Sequence, residues 1–302
     1  MITVFGSVNL DLIGGVERLP RPGETVPGNA FRTAPGGKGA NQALAAARAG
    51  GRVRMVGAVG KDEFAAPALE LLRSGGVDLA RIREVDGATG VALILVDKGG
   101  ENVIAVMPGA NGAVAAADAD ALEFGAGGVL LVQLEVPVQA IAAAARRARE
   151  AGAAVLLNFA PFRADGLALL PHATHLIVNE SECGLIAAAL NLQPASVAEQ
   201  ATQLGLRLGA TVIATLGKDG VFAVEAGRIE MAPALPVQAV DTVGAGDTLC
   251  GYLAAALSEG VPLGAALALA SAAGSLACTK PGAQPAIPAR SEVEDALGRI
   301  IR

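Results

Sequence analysis

Hydrophobic positions along the chain fall into two recurring patterns. Short apolar runs at 2–5, 54–58, 128–132, 154–157, 175–178 and 211–215 read as strands. Between them lie Ala-rich segments of helical period at 41–49, 63–73, 138–151, 196–208 and 248–258. Strands alternating with helices predict a parallel sheet flanked by helices, an α/β layered architecture.

One region breaks the alternation. The runs 91–96 and 102–107 are joined by Asp97-Lys98-Gly99-Gly100-Glu101, a Gly-containing hairpin signal. Successive strand side chains point to opposite faces, so Ala92, Ile94 and Val96 share one side while Val91, Leu93 and Leu95 share the other. Both sides are apolar. Such a hairpin is either an ordinary core element or a cover used twice, over a pocket on one side and against a second subunit on the other.

Length and composition narrow the classes. The chain has 302 residues, enough for one large α/β domain, and no internal repeat, low-complexity linker or charge block divides it, so 1–302 is expected to act as a single domain. The formal net charge of -6 leaves no basic surface for tracking phosphates, which argues against nucleic acid as a partner. Seven Phe, one Tyr and no Trp leave little for stacking on bases or sugar rings, so the expected ligand is small and polar, held by backbone and short polar groups. The uncharged stretch 260–279 is long enough to span a bilayer. Its Ala, Gly and Ser content, with Pro262 near its start, instead predicts a tightly packed buried helix and no membrane association. The first residues reach Asp11 without a basic start or an apolar export core, so a cytoplasmic location is expected. Cys183, Cys250 and Cys278 are far apart, form no CxxC pair and suit reduced thiols rather than a zinc site. His172 and His175 flank a Pro-bearing turn with no thiol or carboxylate at ligand spacing, and read as surface or turn residues.

The sharpest local chemistry lies in Asp241-Thr242-Val243-Gly244-Ala245-Gly246-Asp247, before a helix carrying Leu249, Leu253 and Leu257 on one stripe. A Gly-Ala-Gly turn leaves N–H groups unobstructed where the positive end of the helix dipole points, a place for an anion. Asp247 beside those donors is a carboxylate able to accept a proton. An anion hole next to a base is equipment for phosphoryl transfer to a hydroxyl, although a capped helix with an acidic first turn has the same spacing.

A second Gly-rich segment, Pro35-Gly36-Gly37-Lys38-Gly39-Ala40-Asn41-Gln42-Ala43, runs into a helix. It is not a Walker loop: Arg32 stands where the first Gly belongs, and Gly39 follows Lys38 where Ser or Thr is needed. No GxGxxG, GxSxG or HExxH pattern occurs either. The segment can bring backbone close to a polar ligand, with Lys38 and Asn41 as donors, or be a plain Gly-rich turn. Polar residues also follow the strand-like runs: Asn9 and Asp11, Glu135, Asn158, and Asn179 with Glu182. In open parallel sheets the carboxyl ends of strands line the ligand crevice, so these positions point to a shared cleft.

Several stretches together resemble the ribokinase group of the PfkB-type carbohydrate kinase family. They are Gly6-Ser7-Val8-Asn9-Leu10-Asp11, Pro22-Gly23-Glu24-Thr25, the segment from Gly36 to Ala43, Thr89-Gly90-Val91-Ala92, Glu101-Asn102-Val103-Ile104, Gln133-Leu134-Glu135, Asn179-Glu180-Ser181-Glu182, Thr215-Leu216-Gly217 and the segment from Asp241 to Asp247. Their order and spacing match over essentially the whole chain.

The resemblance implies a Rossmann-like, three-layer α/β domain with a small β-sheet lid drawn from about 12–35 and 88–108, which in this family also clasps a second subunit. It implies an ATP-dependent kinase of D-ribose, phosphorylating O5, with Asp247 as base and Gly244, Ala245 and Gly246 as anion hole. Asn9, Asp11, Gly37, Lys38, Asn41 and Glu135 match sugar-holding positions, and Ala92, Ile94, Ile104 and Val106 the lid's apolar inner face. Asn179, Thr215, Gly217, Lys218, Gly220 and Ser271 match nucleotide-contacting positions, and Glu182 a position tied to Mg2+ or another divalent cation. Asp241, Val243, Ala277, Lys280, Gly282 and Ala286 match a K+ site built mostly from backbone carbonyls. Ala286 departs from the hydroxyl residue often found there, and Phe159 and Phe162 enlarge a stretch usually smaller near the nucleotide. The alternatives are another kinase of this family, acting on fructose or a nucleoside, and a catalytically silent sugar-sensing protein. A dehydrogenase is disfavoured by the missing dinucleotide fingerprint.

Overall fold

The computed structural model describes residues 1–193 and 195–300. In chain order the strands are β1 (Ile2–Phe5), β2 (Asn9–Val16), β3 (Gly28–Gly36), β4 (Val53–Gly60), β5 (Asp78–Val85), β6 (Gly90–Asp97), β7 (Asn102–Met107), β8 (Val129–Val132), β9 (Ala154–Asn158), β10 (His175–Asn179), β11 (Thr211–Thr215), β12 (Val221–Glu225) and β13 (Arg228–Ala232). Among the described residues the main sheet has nine strands in the order β13-β12-β11-β10-β9-β8-β1-β4-β5. It is parallel from β11 to β5, with β12 and β13 added antiparallel at one edge.

The helices are α1 (Lys38–Arg48), α2 (Ala65–Ala68), α3 (Glu70–Ser74), α4 (Val138–Glu150), α5 (Glu180–Ala189), α6 (Val197–Leu208), α7 (Ala245–Ser258), α8 (Leu263–Ala277) and α9 (Arg290–Ile300). The central strands are buried on both faces, so their side chains divide between two cores. Val4, Met55, Leu131 and Ile213 pack against α1, α7 and α8, while Phe5, Leu130, Leu157 and Val178 pack against α4, α5 and α6. This is the three-layer α/β sandwich that the alternation of runs and helices predicts. The uncharged stretch 260–279 becomes α8, and among the described residues no helix is long and apolar enough to cross a membrane.

Three boundaries differ from the sequence reading. The segment 63–73 is two short helices, interrupted at Leu69. Helix α1 begins at Lys38 rather than at 41, and α7 at Ala245 rather than at 248. The glycine-rich stretch thus belongs partly to α1 itself. A Cβ at Gly39 would lie 2.5 Å from Ser7 N, so glycine there permits close packing of helix on strand end.

A second sheet stands apart, with strand order β3-β2-β6-β7. β2 pairs parallel with β6, and the outer pairs are antiparallel. The register sets Asp11 opposite Ala92, Ala92 opposite Val106, and Ile94 opposite Ile104. Paired residues share a face, so Ala92, Ile94, Ile104 and Val106 lie on the Asn9 and Asp11 side, as the alternation requires. Ile104 and Val106 are each 52% exposed, and on the opposite face Phe31 is 72% and Val103 55% exposed. The hairpin is therefore not a core element: among the described residues both faces of β7 remain uncovered.

Candidate active site

The site forms where the carboxyl ends of β8, β9, β10 and β11 meet the starts of α1 and α7 and the base of the small sheet. Helix α7 is capped by Gly244 in a left-handed conformation (φ 77°), which a side chain would both strain and drive into Ala283, 2.8 Å from the added carbon. A Cβ at Gly246 would meet nothing within 4 Å, so this turn faces open space. The N–H groups of Gly244, Gly246 and Asp247 have no hydrogen-bond partner among the described residues, whereas that of Ala245 reaches back to the Thr242 carbonyl at 3.3 Å. The free donors thus include Gly244 and Gly246 from the expected set, with the Asp247 N–H in place of that of Ala245. Partnerless donors at a helix start are suited to an anion.

Asp247 is 7% exposed, and each of its oxygens accepts an amide N–H from α1. Asn41 Nδ2 donates to Oδ2 and Gln42 Nε2 to Oδ1, both at 2.9 Å. Lys38, one turn earlier on the same face of α1, stands near this carboxylate. Asp247 first, and Glu135 and Glu182 after it, hold its ammonium above the usual lysine value despite burial. The helical spacing of 38, 41 and 42 is what aims all three side chains at one point.

Glu135 Oε2 accepts from Ser7 Oγ and from the Lys38 backbone N–H, so it pins the start of α1 to the ends of β1 and β8. Asp11, at the base of the small sheet, is pushed up to about 6 by burial first, then by the charges of Glu135 and Asp247, with Arg32 opposing. A Cβ at Gly36 would lie 2.4 Å from Asp11 Oδ1, and one at Gly37 (φ 87°) 2.9 Å from Asn9 N. Gly36 lets the chain pass close to the Asp11 carboxylate, and Gly37 lets it pass close to the backbone of Ser7 and Asn9. Asn9 Oδ1 accepts from Asn111 Nδ2 at 2.7 Å, which turns the donor end of the Asn9 amide outward. Asn41 Oδ1 is buried without a protein partner among the described residues.

Two adjoining cavities meet at this turn. One, of about 240 Å³, is lined by Lys38, Asn158, Asn179, Glu182, Gly244 and Asp247 among others. The other, of about 440 Å³, is lined by Thr215, Gly217, Lys218, Gly220, Leu235 and Ser271 among others, and shares Thr215, Thr242 and Gly246 with the first. Asn179 and Glu182 form a capping box at the start of α5, and burial pushes the Glu182 carboxyl above its ordinary value. Ser271 Oγ donates to the Pro233 carbonyl. Asp241 joins two loops, accepting from the N–H of Val243 (Oδ1) and Gly282 (Oδ2). The carbonyls of Val243, Lys280 and Gly282 accept no hydrogen bond among the described residues. Ala277 O receives only a long one of 3.5 Å, and Ala286 is fully buried in a short 3-10 turn.

Phe159 and Phe162 do not approach either cavity wall, contrary to expectation. Phe159 is fully buried in the core beside α4, and Phe162 packs against it with ring centroids 5.8 Å apart. The sequence reading also passed over Gln42, Gln133 and Asn111. Gln42 lies inside the glycine-rich motif and emerges once α1 starts at Lys38. Gln133 and Asn111 act through contacts 91 and 102 residues distant in sequence, for which no local pattern exists.

A search against protein-family descriptions matches residues 1–290 to "pfkB family carbohydrate kinase". The chain belongs to the PfkB family of carbohydrate kinases. Within that family it is 37% identical over 298 residues to the ribokinase of Bacillus subtilis (strain 168), covering 98% of this chain and 99% of the relative. Among solved structures, the ribokinase of Thermotoga maritima superposes with a TM-score of 0.88 at 33% identity, covering 98% of this chain and 99% of that one. The Arabidopsis thaliana ribokinase, solved with ribose and ATP, gives a TM-score of 0.86 at 29% identity, covering 98% of each chain. As a PfkB kinase the protein has the ribokinase-like arrangement of a main sheet with a four-stranded lid.

Proposed function

We propose that this kinase transfers the terminal phosphoryl group of ATP to the 5-hydroxyl of D-ribose, giving D-ribose 5-phosphate. The observation that carries the reading is the Asp247 carboxylate set beside partnerless helix-terminal N–H groups, between a polar cavity and a larger, less polar one. Its full-length likeness to ribokinases, one of them solved with ribose and ATP, supports the choice of sugar and nucleotide.

In this reading Asn9, Asp11, Gly37, Lys38, Asn41 and Glu135 hold the sugar hydroxyls. The partnerless Asn41 Oδ1 suits a hydroxyl donor, and the outward amide of Asn9 a hydroxyl acceptor. Ala92, Ile94, Ile104 and Val106 close over the sugar and exclude water. Asp247 takes the proton of the 5-hydroxyl while the N–H groups of Gly244, Gly246 and Asp247 bear the charge of the migrating group; Ala245 serves the turn's geometry. Asn179, Thr215, Gly217, Lys218, Gly220 and Ser271 form the nucleotide side. Lid and main sheet both contribute residues to this one site, so 1–302 acts as a single kinase domain.

Among the described residues no three acidic, His or Cys side chains cluster as a protein-made metal cage. The lone Glu182 on the cavity wall fits a magnesium ion carried on nucleotide phosphates with water completing its shell. Bound there, magnesium would neutralise phosphate charge. The carboxylate of Asp241 and the free carbonyls of Val243, Lys280 and Gly282 fit a potassium ion, with Ala277 and Ala286 contributing main-chain oxygen only. The lid's apolar outer face suits a second copy of the chain, and the reduced, unpaired cysteines suit the cytoplasm.

The deciding experiment is a panel of D-ribose, D-fructose and a nucleoside with magnesium ATP, with and without potassium, following ADP release and locating the new phosphate by NMR. Ribose-dependent ADP with phosphate on O5 supports the proposal; faster turnover of fructose or the nucleoside overturns the choice of substrate.

A further inference from the structure

We infer that Gln42, itself locked by Gln133, is a positioning residue that sets the plane and direction of the Asp247 carboxylate. The inference rests on Asp247 being the base. Gln42 is fully buried and all its amide capacity is spent in one direction. Its Nε2 donates to Asp247 Oδ1 and to Asn158 Oδ1, both at 2.9 Å, and its Oε1 accepts from Gln133 Nε2 at 2.6 Å.

An isolated glutamine amide can present either end to a neighbour. Here that choice is removed twice. Nε2 serves the oxygens of Asp247 and Asn158 while Oε1 receives Gln133 Nε2, so turning the Gln42 amide over would set oxygen against two oxygens and nitrogen against a donor. Gln133 is also fully buried, and its Oε1 lies against Gly6, where a Cβ would approach it to 2.2 Å. Glycine at position 6 thus makes the space that the Gln133 amide fills, and its nitrogen end is the one aimed at Gln42. Gln42 in this state gives Asp247 a neutral donor, fixing the carboxylate without neutralising it as a cation would.

The contrast with Asn41 separates the two neighbours. Asn41 bonds the other oxygen of Asp247 but keeps a partnerless Oδ1, so it can also meet the sugar. Gln42 is fully buried with both ends of its amide already bonded, so it has nothing left to offer a ligand. Its effect on catalysis must pass through Asp247, so it belongs to turnover and not to sugar affinity. Proton transfer depends on the aim of the acceptor oxygen, and losing one hydrogen bond to a charged group corresponds to about a 10- to 100-fold loss of rate.

The test is a double-mutant cycle on the full chain, measuring kcat and KM for D-ribose and, separately, ribose affinity by calorimetry. Gln42→Met, close in size and without the donor, is expected to lower kcat about 10- to 100-fold. The ribose KM and affinity should stay within about threefold, the range expected when no ligand contact is lost. Made on top of Asp247→Ala, the same change should cost almost nothing more, because its route to the reaction is already gone. Gln133→Met, which touches neither Asp247 nor the cavities, should lower kcat in the same direction by less and serves if Gln42→Met does not fold. Equal losses of kcat in the presence and absence of Asp247, or a rise in KM with kcat unchanged, overturn the inference. Near-normal turnover of Asp247→Ala instead overturns the assignment of the base, so the two failures are distinguishable.

Discussion

At the scale of single residues, the site is governed by how many negative charges it gathers with one buried cation. Asp247, Glu135 and Glu182 act on Lys38, and burial with the nearby charges of Glu135 and Asp247 drives the Asp11 carboxyl up to about 6 from 3.8. Because its folded value lies above the unfolded one, the fold favours the protonated acid. That favour is complete below the unfolded value, fades as pH rises towards 6, and leaves a constant penalty above it. The shift corresponds to at most about 3 kcal/mol, less where solvent reaches the group. Asp11→Asn is therefore expected to raise the melting temperature at pH 8 and to lose that gain as pH falls from 6 to 4, while weakening ribose binding. A gain that is the same at both ends of the range would contradict the burial argument. Gly39 makes a second case: Ala there would place a carbon 2.5 Å from Ser7 N, a backbone atom that cannot step aside. Gly39→Ala should cost about 1–3 kcal/mol, visible as a lower midpoint in denaturant unfolding.

At the scale of elements, the helix starts do most to place the chemistry. Beginning α1 at Lys38 brings 38, 41 and 42 onto one face, and beginning α7 at Ala245 puts Asp247 in its first turn. Both motifs were legible in the sequence as glycine-rich turns entering helices, and the lid face was legible from alternation in 91–96. What local pattern could not supply was the start of α1, because Gly39 reads as a turn residue until Ser7 is known to press against it. Nor could it place Phe159, which local order leaves beside the nucleotide and the core claims. Asn111 is the strongest instance. Its amide accepts from Val8 N, donates to Val8 O and to Asn9 Oδ1, and so ties the 3-10 turn after β7 to the start of β2. Asn111→Leu should raise the ribose KM well over threefold with a smaller effect on kcat, since it frees the Asn9 amide that we propose meets the sugar and leaves Asp247 untouched. An unchanged KM in a folded variant would show that Asn9 holds its orientation without it.

At the scale of the whole molecule, a nine-stranded sheet supplies the rigid floor and the four-stranded sheet a cover. The cover is apolar on both faces, with Phe31, Leu93 and Val103 on the side away from Asp11. If that outer face meets a second copy, Leu93→Glu with Val103→Glu should give a folded monomer by size-exclusion chromatography with light scattering. A wild-type monomer at the same concentration would remove the lid dimer from the account. The central claim concerns Asp247, and it is tested most directly by comparing wild type with Asp247→Asn for ribose-dependent ADP release alongside ribose affinity. The account predicts a loss of turnover of about 100- to 10,000-fold with affinity nearly intact. Turnover close to wild type in that variant would contradict it.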